Sequence, residues 1–212
     1  MGVSSSMASA PAVEIDASSV LVLDACILIS NVLRFLSLEL AREHSFQPAW
    51  SAIIGDEWAR NASRLWDVPV EQLWQDWEQW QREFPLADQG NVQGYKEGLQ
   101  YSDPKDWHVI AAARAAQHAF PDATVRILTK NLKDFNRSEL KRLGLSVVAP
   151  DHFFVAMHHQ YPSKMNALLQ RLPQAVVAPD KPLLSVEVLL KRERLFGLNQ
   201  AYQRSVLLKG EE

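Results

Sequence analysis

The sequence has only one cysteine among its 212 residues, Cys26, so the chain cannot form an intramolecular disulfide and a reducing, cytoplasmic location is expected. No apolar run approaches the length of a membrane span, and roughly Met1 to Ala17 lack the features of a signal peptide. Bulk positive charge is also lacking. The net charge of −3 argues against a protein that coats nucleic acid through overall positive charge, but it does not exclude a local basic patch.

Three segments differ in character. Residues 1–18 are small and polar and are expected to form a disordered lead-in. Residues 19–150 alternate short apolar strands with amphipathic helices, which predicts an α/β domain with a parallel sheet. Residues 151–212 are predicted to be a helical extension. Breaks in that extension are expected at three prolines, Pro173, Pro179 and Pro182.

The first predicted strand, residues 19–23, is almost continuously apolar and is followed at its carboxyl end by Asp24. Ligand sites of open α/β sheets collect at that edge. Metal nucleases and aspartate-nucleophile phosphatases both place an acid there. The phosphatases normally have a second Asp two residues later, where this chain has Cys26. Cys26 is predicted to be a buried small residue, because no base lies near it in sequence.

Two acids mark the start of a helix predicted from Pro104 to about Ala119. Asp103 is a good N-cap, and Asp106 occupies the third helical position. Either the two acids simply cap the helix and complement its dipole, or both carboxylates face one point beyond its end. The other acids at strand-to-helix junctions of this chain favour the second interpretation.

A further acid, Asp134, follows the strand predicted at residues 126–129, where Thr129 and Asn131 can hydrogen-bond near it. The stretch from Arg126 to Arg142 has six basic residues and two acidic ones. A solvated face and a phosphate-binding rim explain this excess equally well. The candidate phosphate or RNA contacts are Lys130, Lys133 and Arg137.

Two predicted helices between the first and second acidic stretches carry other candidates. The helix predicted from Ser51 to about Leu65 carries Glu57, which is either a solvated acid or a ligand. The helix predicted over residues 70–84 carries tryptophans at a spacing of three. This spacing favours a packing face, and an RNA-stacking platform is the second interpretation. These tryptophans are Trp74, Trp77 and Trp80. His108 is predicted to be an ordinary polar helix residue.

The acids fit one chemical scheme. Carboxylates gathered at one sheet edge repel one another unless a cation neutralises them. An all-oxygen site suits Mg²⁺ or Mn²⁺ and not zinc. Such a site activates water and clamps a phosphodiester for in-line attack. The acids concerned are Asp24, Glu57, Asp103, Asp106 and Asp134.

Three segments together carry a family resemblance: residues 22–28 (VLDACIL), 102–112 (SDPKDWHVIAA) and 128–135 (LTKNLKDF). The last two resemble the D-x-x-D-x-H-V-x-A-A-A and T-x-N-x-x-D-F signatures of one PIN subfamily. The chain thus resembles the PIN-domain nucleases, in particular the ribonuclease toxins of VapBC-type bacterial toxin–antitoxin pairs. The similarity covers roughly Val20 to Asp151.

This resemblance implies a Rossmann-like α/β/α sandwich and a Mg²⁺- or Mn²⁺-dependent endoribonuclease that cleaves single-stranded or loop RNA. It implies a cognate antitoxin as partner, with a homodimer left open. By matched position the acidic site is Asp24, Glu57, Asp106 and Asp134, with Asp103 an auxiliary acid or the helix cap.

Two departures from the family pattern matter. Asn131 stands where many PIN sequences have Asp, and Trp107 stands where a basic residue often follows the second Asp. A PIN fold that has lost catalysis and binds RNA or a protein is therefore the alternative. The apolar residues of the tail are expected to be buried, in the core or against an antitoxin or second protomer. These residues are Leu189, Leu190, Phe196 and Leu198.

Overall fold

The computed structural model describes residues 17–178 and 181–209. The predicted lead-in, residues 1–18, therefore falls outside the described residues except for its last two. Four parallel strands form one sheet with the order β2-β1-β3-β4. The strands are β1 Val20–Leu23, β2 Gln47–Ala49, β3 Val125–Leu128 and β4 Ser146–Val148. Helices flank the sheet, so the chain has the predicted α/β architecture with a parallel sheet.

Ten α-helices are present in the described ranges, and none of them is both long and apolar enough to cross a membrane. The helices before β3 are α1 Ala25–Ile29, α2 Asn31–Arg42, α3 Ala52–Trp66, α4 Val70–Glu83 and α5 Trp107–Ala119. Those after β3 are α6 Arg137–Arg142, α7 Pro150–Gln160, α8 Pro162–Val176, α9 Val186–Arg192 and α10 Phe196–Lys209.

The central strand β1 and its neighbour β3 end together at the carboxyl edge of the sheet. All four residues of β1 are buried, as expected for a strand covered on both faces. Leu23 pairs with Leu128 of the neighbouring strand, so the next residues along each chain, Asp24 and Thr129, emerge side by side. The predicted strand at residues 19–23 agrees with β1 to within one residue.

One detail of the predicted helices is wrong. Pro173 was expected to break a helix but lies inside α8, where its ring is buried; this burial offsets the backbone hydrogen bond that proline cannot donate. Of the apolar tail residues expected to be buried, Leu189, Leu190 and Leu198 lie in the core of the chain, whereas Phe196 is 58% exposed, because Leu195 and Leu198 take the buried positions of that turn. Burial of Phe196 against another chain stays a prediction.

The helical tail packs onto the α/β part. The Phe153 ring of α7 meets the Phe46 ring edge-on, with centroids 5.6 Å apart. Arg171 of α8 lies 2.8 Å from Glu39 of α2. The start of α10 is held by Asp151, whose two carboxylate oxygens accept hydrogen bonds from the backbone N–H groups of residues 197 and 198, each at 2.9 Å.

The tryptophan-rich helix packs inward. Trp77 and Trp80 of α4 are buried, and the Trp58 ring of α3 lies 5.8 and 4.7 Å from them. Trp50 lies 5.4 Å from Trp77 on the other side. The spacing of three therefore marks a packing face, and Trp77 and Trp80 are not available to stack on RNA bases.

Gly55→Ala is expected to lower the free energy of unfolding by about 1–3 kcal/mol, because an added methyl group overpacks the contact between α3 and α4. A Cβ at residue 55 would lie 2.6 Å from two ring carbons of Trp77. Urea denaturation measures the effect. Gly94→Ala is the matched control, since a Cβ there meets nothing within 4 Å. Equal stability of the two variants would contradict this prediction.

Candidate metal centre

Asp24 stands at the carboxyl edge of the sheet with its side chain held in place. Its Oδ2 accepts hydrogen bonds from Thr129 Oγ1 at 2.5 Å and from Cys26 Sγ at 3.2 Å. Thr129 thus bonds to Asp24 and not to the predicted Asp134. Asn131 contributes only backbone bonds here: its N–H donates to Thr129 Oγ1, and its carbonyl accepts from the N–H of Asp134.

The thiol of Cys26 supports Asp24 and is not activated as a nucleophile. Burial raises the pKa of Cys26, and the nearby Asp24 carboxylate raises it further. The group therefore stays protonated and can donate to Asp24. Its sulfur also accepts a hydrogen bond from the N–H of Lys130 at 3.2 Å. These contacts fit the unreactive cysteine predicted from the sequence, although Cys26 is partly and not fully buried.

Three carboxylates meet beside Asp24. Asp103, Asp106 and Asp134 each offer one oxygen, and these oxygens lie within 4.8 Å of one another. The N–H of Asp103 donates to the carbonyl of Asp134 at 2.8 Å, which joins their two loops. Asp103 is also a cap, accepting from the N–H of Lys105 at 3.1 Å. The capping and cluster interpretations of Asp103 are therefore compatible.

Asp106 is the buried member of this cluster. It is the last residue of a short 3-10 helix, Pro104–Asp106, that precedes α5, and it is 8% exposed. No hydrogen-bond partner of its Oδ2 exists among the described residues. Burial raises the pKa of Asp106 to about 6, and the carboxylates of Asp24 and Asp134 add to the rise. An unpaired buried carboxylate oxygen is costly, so this site favours a proton or a cation.

Glu57 and Asp24 border the cluster without joining it. Burial raises the pKa of Asp24, the hydrogen bonds from Thr129 and Cys26 oppose this, and the Glu57 carboxylate adds to the rise. All five predicted acids are therefore brought to one edge of the sheet. Within the described residues, the close group contains only Asp103, Asp106 and Asp134.

Two side chains of the site, Lys105 and His108, make contacts that were not predicted. The Lys105 ammonium lies 3.2 Å from Asp103 and 3.7 Å from Asp134, between the two carboxylates. His108 is buried, and its Nε2 lies 3.0 Å from a Glu57 oxygen, at ion-pair distance but not aligned as a hydrogen bond. Position 108 is therefore a polar helix residue outside the close carboxylate group, as predicted, and its contact with Glu57 is the feature that the sequence did not indicate. The sequence offered one signal: both residues lie within two positions of Asp106.

The candidate basic contacts lie at the surface. Lys130, Lys133 and Arg137 are all exposed. Lys130 lies 3.1 Å from Glu193, at the end of α9, and this ion pair links the sheet edge to the helical tail.

Glu139 is a structural residue of the site that sequence reasoning missed. It is 2% exposed, and its carboxylate accepts hydrogen bonds from the N–H groups of Gln100, Tyr101 and Ser102 at 2.8, 3.1 and 2.9 Å. The loop that leads into Asp103 is thereby fixed. An Asn-x-x-Glu pattern at positions 136–139 was visible as a helix-start signature. Nothing in it revealed that the glutamate reaches a distant loop.

Glu139→Gln is expected to lower the free energy of unfolding by about 2–4 kcal/mol at pH 7, because the amide cannot accept three N–H groups as a carboxylate does. Burial raises the pKa of Glu139, but the bonds from residues 100–102 outweigh it, so the pKa in the folded state lies below 4.5. The carboxylate's contribution is therefore complete above pH 4.5 and is lost as the pH falls through the folded-state pKa.

Urea denaturation of both proteins between pH 7 and pH 3 measures this difference. Glu97→Gln, at an exposed position, is the matched control. A difference between parent and Glu139→Gln that does not shrink at low pH would contradict the assignment.

Comparisons of this chain with protein-family models, with curated proteins and with solved structures found no match. The geometry and chemistry of the site are therefore the basis on which its function is argued.

Proposed function

We propose that this chain is a metal-dependent endoribonuclease with a PIN-type fold. One observation carries the proposal: the buried Oδ2 of Asp106 has no partner in the part of the chain that the structure describes, and it belongs to a cluster with Asp103 and Asp134. A carboxylate oxygen in that position needs a positive charge or a proton. Its location at the carboxyl edge of a parallel sheet is where such folds bind ligands.

The donor atoms of the cluster fit Mg²⁺ or Mn²⁺. Asp103, Asp106 and Asp134 offer only carboxylate oxygens, which hard divalent cations prefer. The nearby thiol of Cys26 is already bonded to Asp24. These three acids would hold the ion, while Asp24 and Glu57 would add negative charge beside it. A bound ion of this kind lowers the pKa of water and neutralises a phosphodiester.

The chain's own residues prepare this site. Thr129 and Cys26 orient the Asp24 carboxylate, and Glu139 fixes the loop that carries Asp103. Lys105 supplies one positive charge between Asp103 and Asp134 and is 65% exposed, so it is free to turn toward a phosphate group. The carboxylates alone would repel an RNA backbone, and Lys105 reduces that repulsion.

The resemblance to PIN sequences supports RNA as the substrate and a toxin–antitoxin role, with an antitoxin protein as partner. Lys130 and Lys133 lie within the motif at residues 128–135, and Arg137 follows it closely. All three are exposed and are candidates for contacts with RNA phosphates. The helical tail or its exposed residues would then offer the surface for the antitoxin or for a second protomer.

Cleavage of a short fluorescent single-stranded RNA tests the enzymatic proposal. The protein should cleave with Mn²⁺ or Mg²⁺, stop with EDTA and resume when Mn²⁺ is added back. Cleavage that survives EDTA would overturn the metal-dependent mechanism. Binding of Mn²⁺ without any cleavage would instead favour the alternative, a catalytically inactive PIN fold. That alternative is considered because Asn131 stands where many PIN sequences have Asp.

Expression in bacteria tests the toxin role. The parent chain should arrest growth, Asp106→Asn should not, and co-expression of the adjacent reading frame should relieve the arrest. Growth arrest by Asp106→Asn equal to that of the parent would argue against RNA cleavage as the cause.

A further inference from the structure

A pocket of about 690 Å³ lies where the helical tail meets the sheet edge. Its walls come from α1 and the start of α2, the end of α3, Lys130 after β3, the end of α8, residues 181–184 and α9. The wall is about half apolar and half polar. The apolar residues include Ile29, Val32, Trp66, Val176, Leu184 and Leu189. A volume of this size is typical of sites for small organic ligands.

The pocket adjoins the candidate metal centre. Cys26 lines the pocket and also lies 3.2 Å from the Asp24 carboxylate. Lys130 lines it as well, and its backbone N–H is bonded to the Cys26 sulfur. Cys26 therefore separates the pocket from Asp24, which borders the cluster of Asp103, Asp106 and Asp134, so a ligand in the pocket would lie on the Asp24 side of the metal centre.

The pocket is basic although the chain as a whole is acidic. Among the described residues, Lys130, Lys181 and Arg192 line it together with one acid, Glu193. Three positive charges and one negative charge leave an excess of +2, whereas the whole chain has a net charge of −3. Glu193 is paired with Lys130, and within the part of the chain that the structure describes no acid is paired with Lys181 or Arg192, so these two can attract an anion. A ligand that fits is thus anionic with a planar or apolar body.

A second pocket of about 600 Å³ continues the first. The two share Asn31, Trp66 and residues 176–178, so Trp66 and the end of α8 lie where they meet. On its far side the second pocket is lined by Arg34, whose guanidinium lies 4.8 Å from the Trp66 ring centre. Two pockets in line, joined by an aromatic ring and a cation, suit successive nucleotides of a single strand better than one compact metabolite.

We propose that the first pocket binds a nucleotide of single-stranded RNA beside the phosphate to be cleaved, with the strand continuing past Trp66. This inference rests on the proposed function. Trp66 and the apolar wall contact a base, and Arg192 contacts a phosphate. Because the tail contributes the end of α8 and α9 to the walls, the helical extension takes part in choosing the substrate.

Binding of a fluorescent single-stranded RNA oligonucleotide, measured by anisotropy in EDTA, tests the pocket without requiring metal or cleavage. Arg192→Gln should raise the Kd about fivefold and reduce the slope of log affinity against log salt by about 0.7, as expected for one lost phosphate contact. Lys191→Gln removes the same charge from the neighbouring exposed position, which does not line the pocket, and should change the Kd by less than about twofold.

A second pair of variants tests the base contact. Trp66→Leu should raise the Kd about fivefold or more, as expected for one lost stacking contact. Trp74→Leu, at a partly buried tryptophan that is not among the pocket residues, should leave the Kd within about twofold of the parent. Circular dichroism checks that both variants are folded, and Arg192→Gln provides an exposed change if Trp66→Leu does not fold.

The outcomes separate this proposal from the nuclease proposal. Equal weakening by Arg192→Gln and Lys191→Gln would show attraction by general charge and overturn the pocket assignment. RNA binding that neither pocket variant changes, or no RNA binding by the parent, would also overturn it; in the first case a protein segment becomes the better occupant. Pocket-dependent RNA binding by a protein that shows no metal-dependent cleavage would retain the pocket and overturn only the enzymatic function.

Discussion

Asp106→Asn is expected to stabilise the metal-free protein at pH 7 and to remove its response to Mn²⁺. Burial raises the pKa of Asp106 from 3.8 to about 6, with Asp24 and Asp134 adding to the rise, so folding at pH 7 confines a charge that water would solvate better. The amide removes that charge at nearly equal size. The expected gain in the free energy of unfolding is about 1–3 kcal/mol in EDTA.

The pH dependence of this gain has a defined sign. The folded-state pKa of Asp106 lies above the unfolded value, so the folded protein binds the extra proton between about pH 6 and pH 3.8. The parent therefore recovers stability, relative to the variant, as the pH falls through that window. Urea denaturation in EDTA at pH 7, 5 and 4 should show the difference between the two proteins shrinking toward zero.

Mn²⁺ should stabilise the parent protein, in which the charge on Asp106 is unfavourable without metal. An ion that binds only the folded state raises the melting temperature, and the charge on Asp106 then becomes favourable. The variant should show a much smaller shift. Asp122→Asn changes the same charge at an exposed turn outside the cluster and should behave as the parent. Destabilisation of metal-free Asp106→Asn, or an undiminished Mn²⁺ shift, would show that Asp106 is not the central acid.

Much of the α/β part could be predicted because its signals are local. A continuously apolar run predicted β1, and Asp24, which follows it, was therefore expected at the carboxyl edge of the sheet. The short 3-10 helix at Pro104–Asp106 was not expected, because a capped helix start and a 3-10 turn use the same residues. The PIN resemblance of the three motifs stays a prediction.

The parts that could not be predicted depend on contacts between distant segments. Glu139 reaches a loop 37 residues earlier in the chain, and His108 meets Glu57 across two helices. No spacing rule connects such pairs. The exposure of Phe196 likewise follows from which side of α10 meets α7, which the sequence of the tail alone does not fix.

Asp24→Asn is expected to lower RNA cleavage on the order of 100-fold or more while leaving the fold intact. The asparagine carbonyl can still accept the hydrogen bond from Thr129, so the side chain should keep its position. Burial raises the pKa of Asp24, which means that its charge is unfavourable in the metal-free protein. Removing the charge should therefore leave the stability in EDTA unchanged or slightly higher.

The same substitution separates a charge effect from a packing effect. If Asp24 acts through its charge beside Asp106, the variant should bind Mn²⁺ more weakly, bind RNA in EDTA at least as well as the parent, and fail to cleave it. Loss of negative charge reduces repulsion of the RNA backbone, so weaker RNA binding would indicate a disturbed fold instead. Asp122→Asn again controls for a change of net charge. Undiminished cleavage by Asp24→Asn would falsify the assignment of this sheet edge as the catalytic centre.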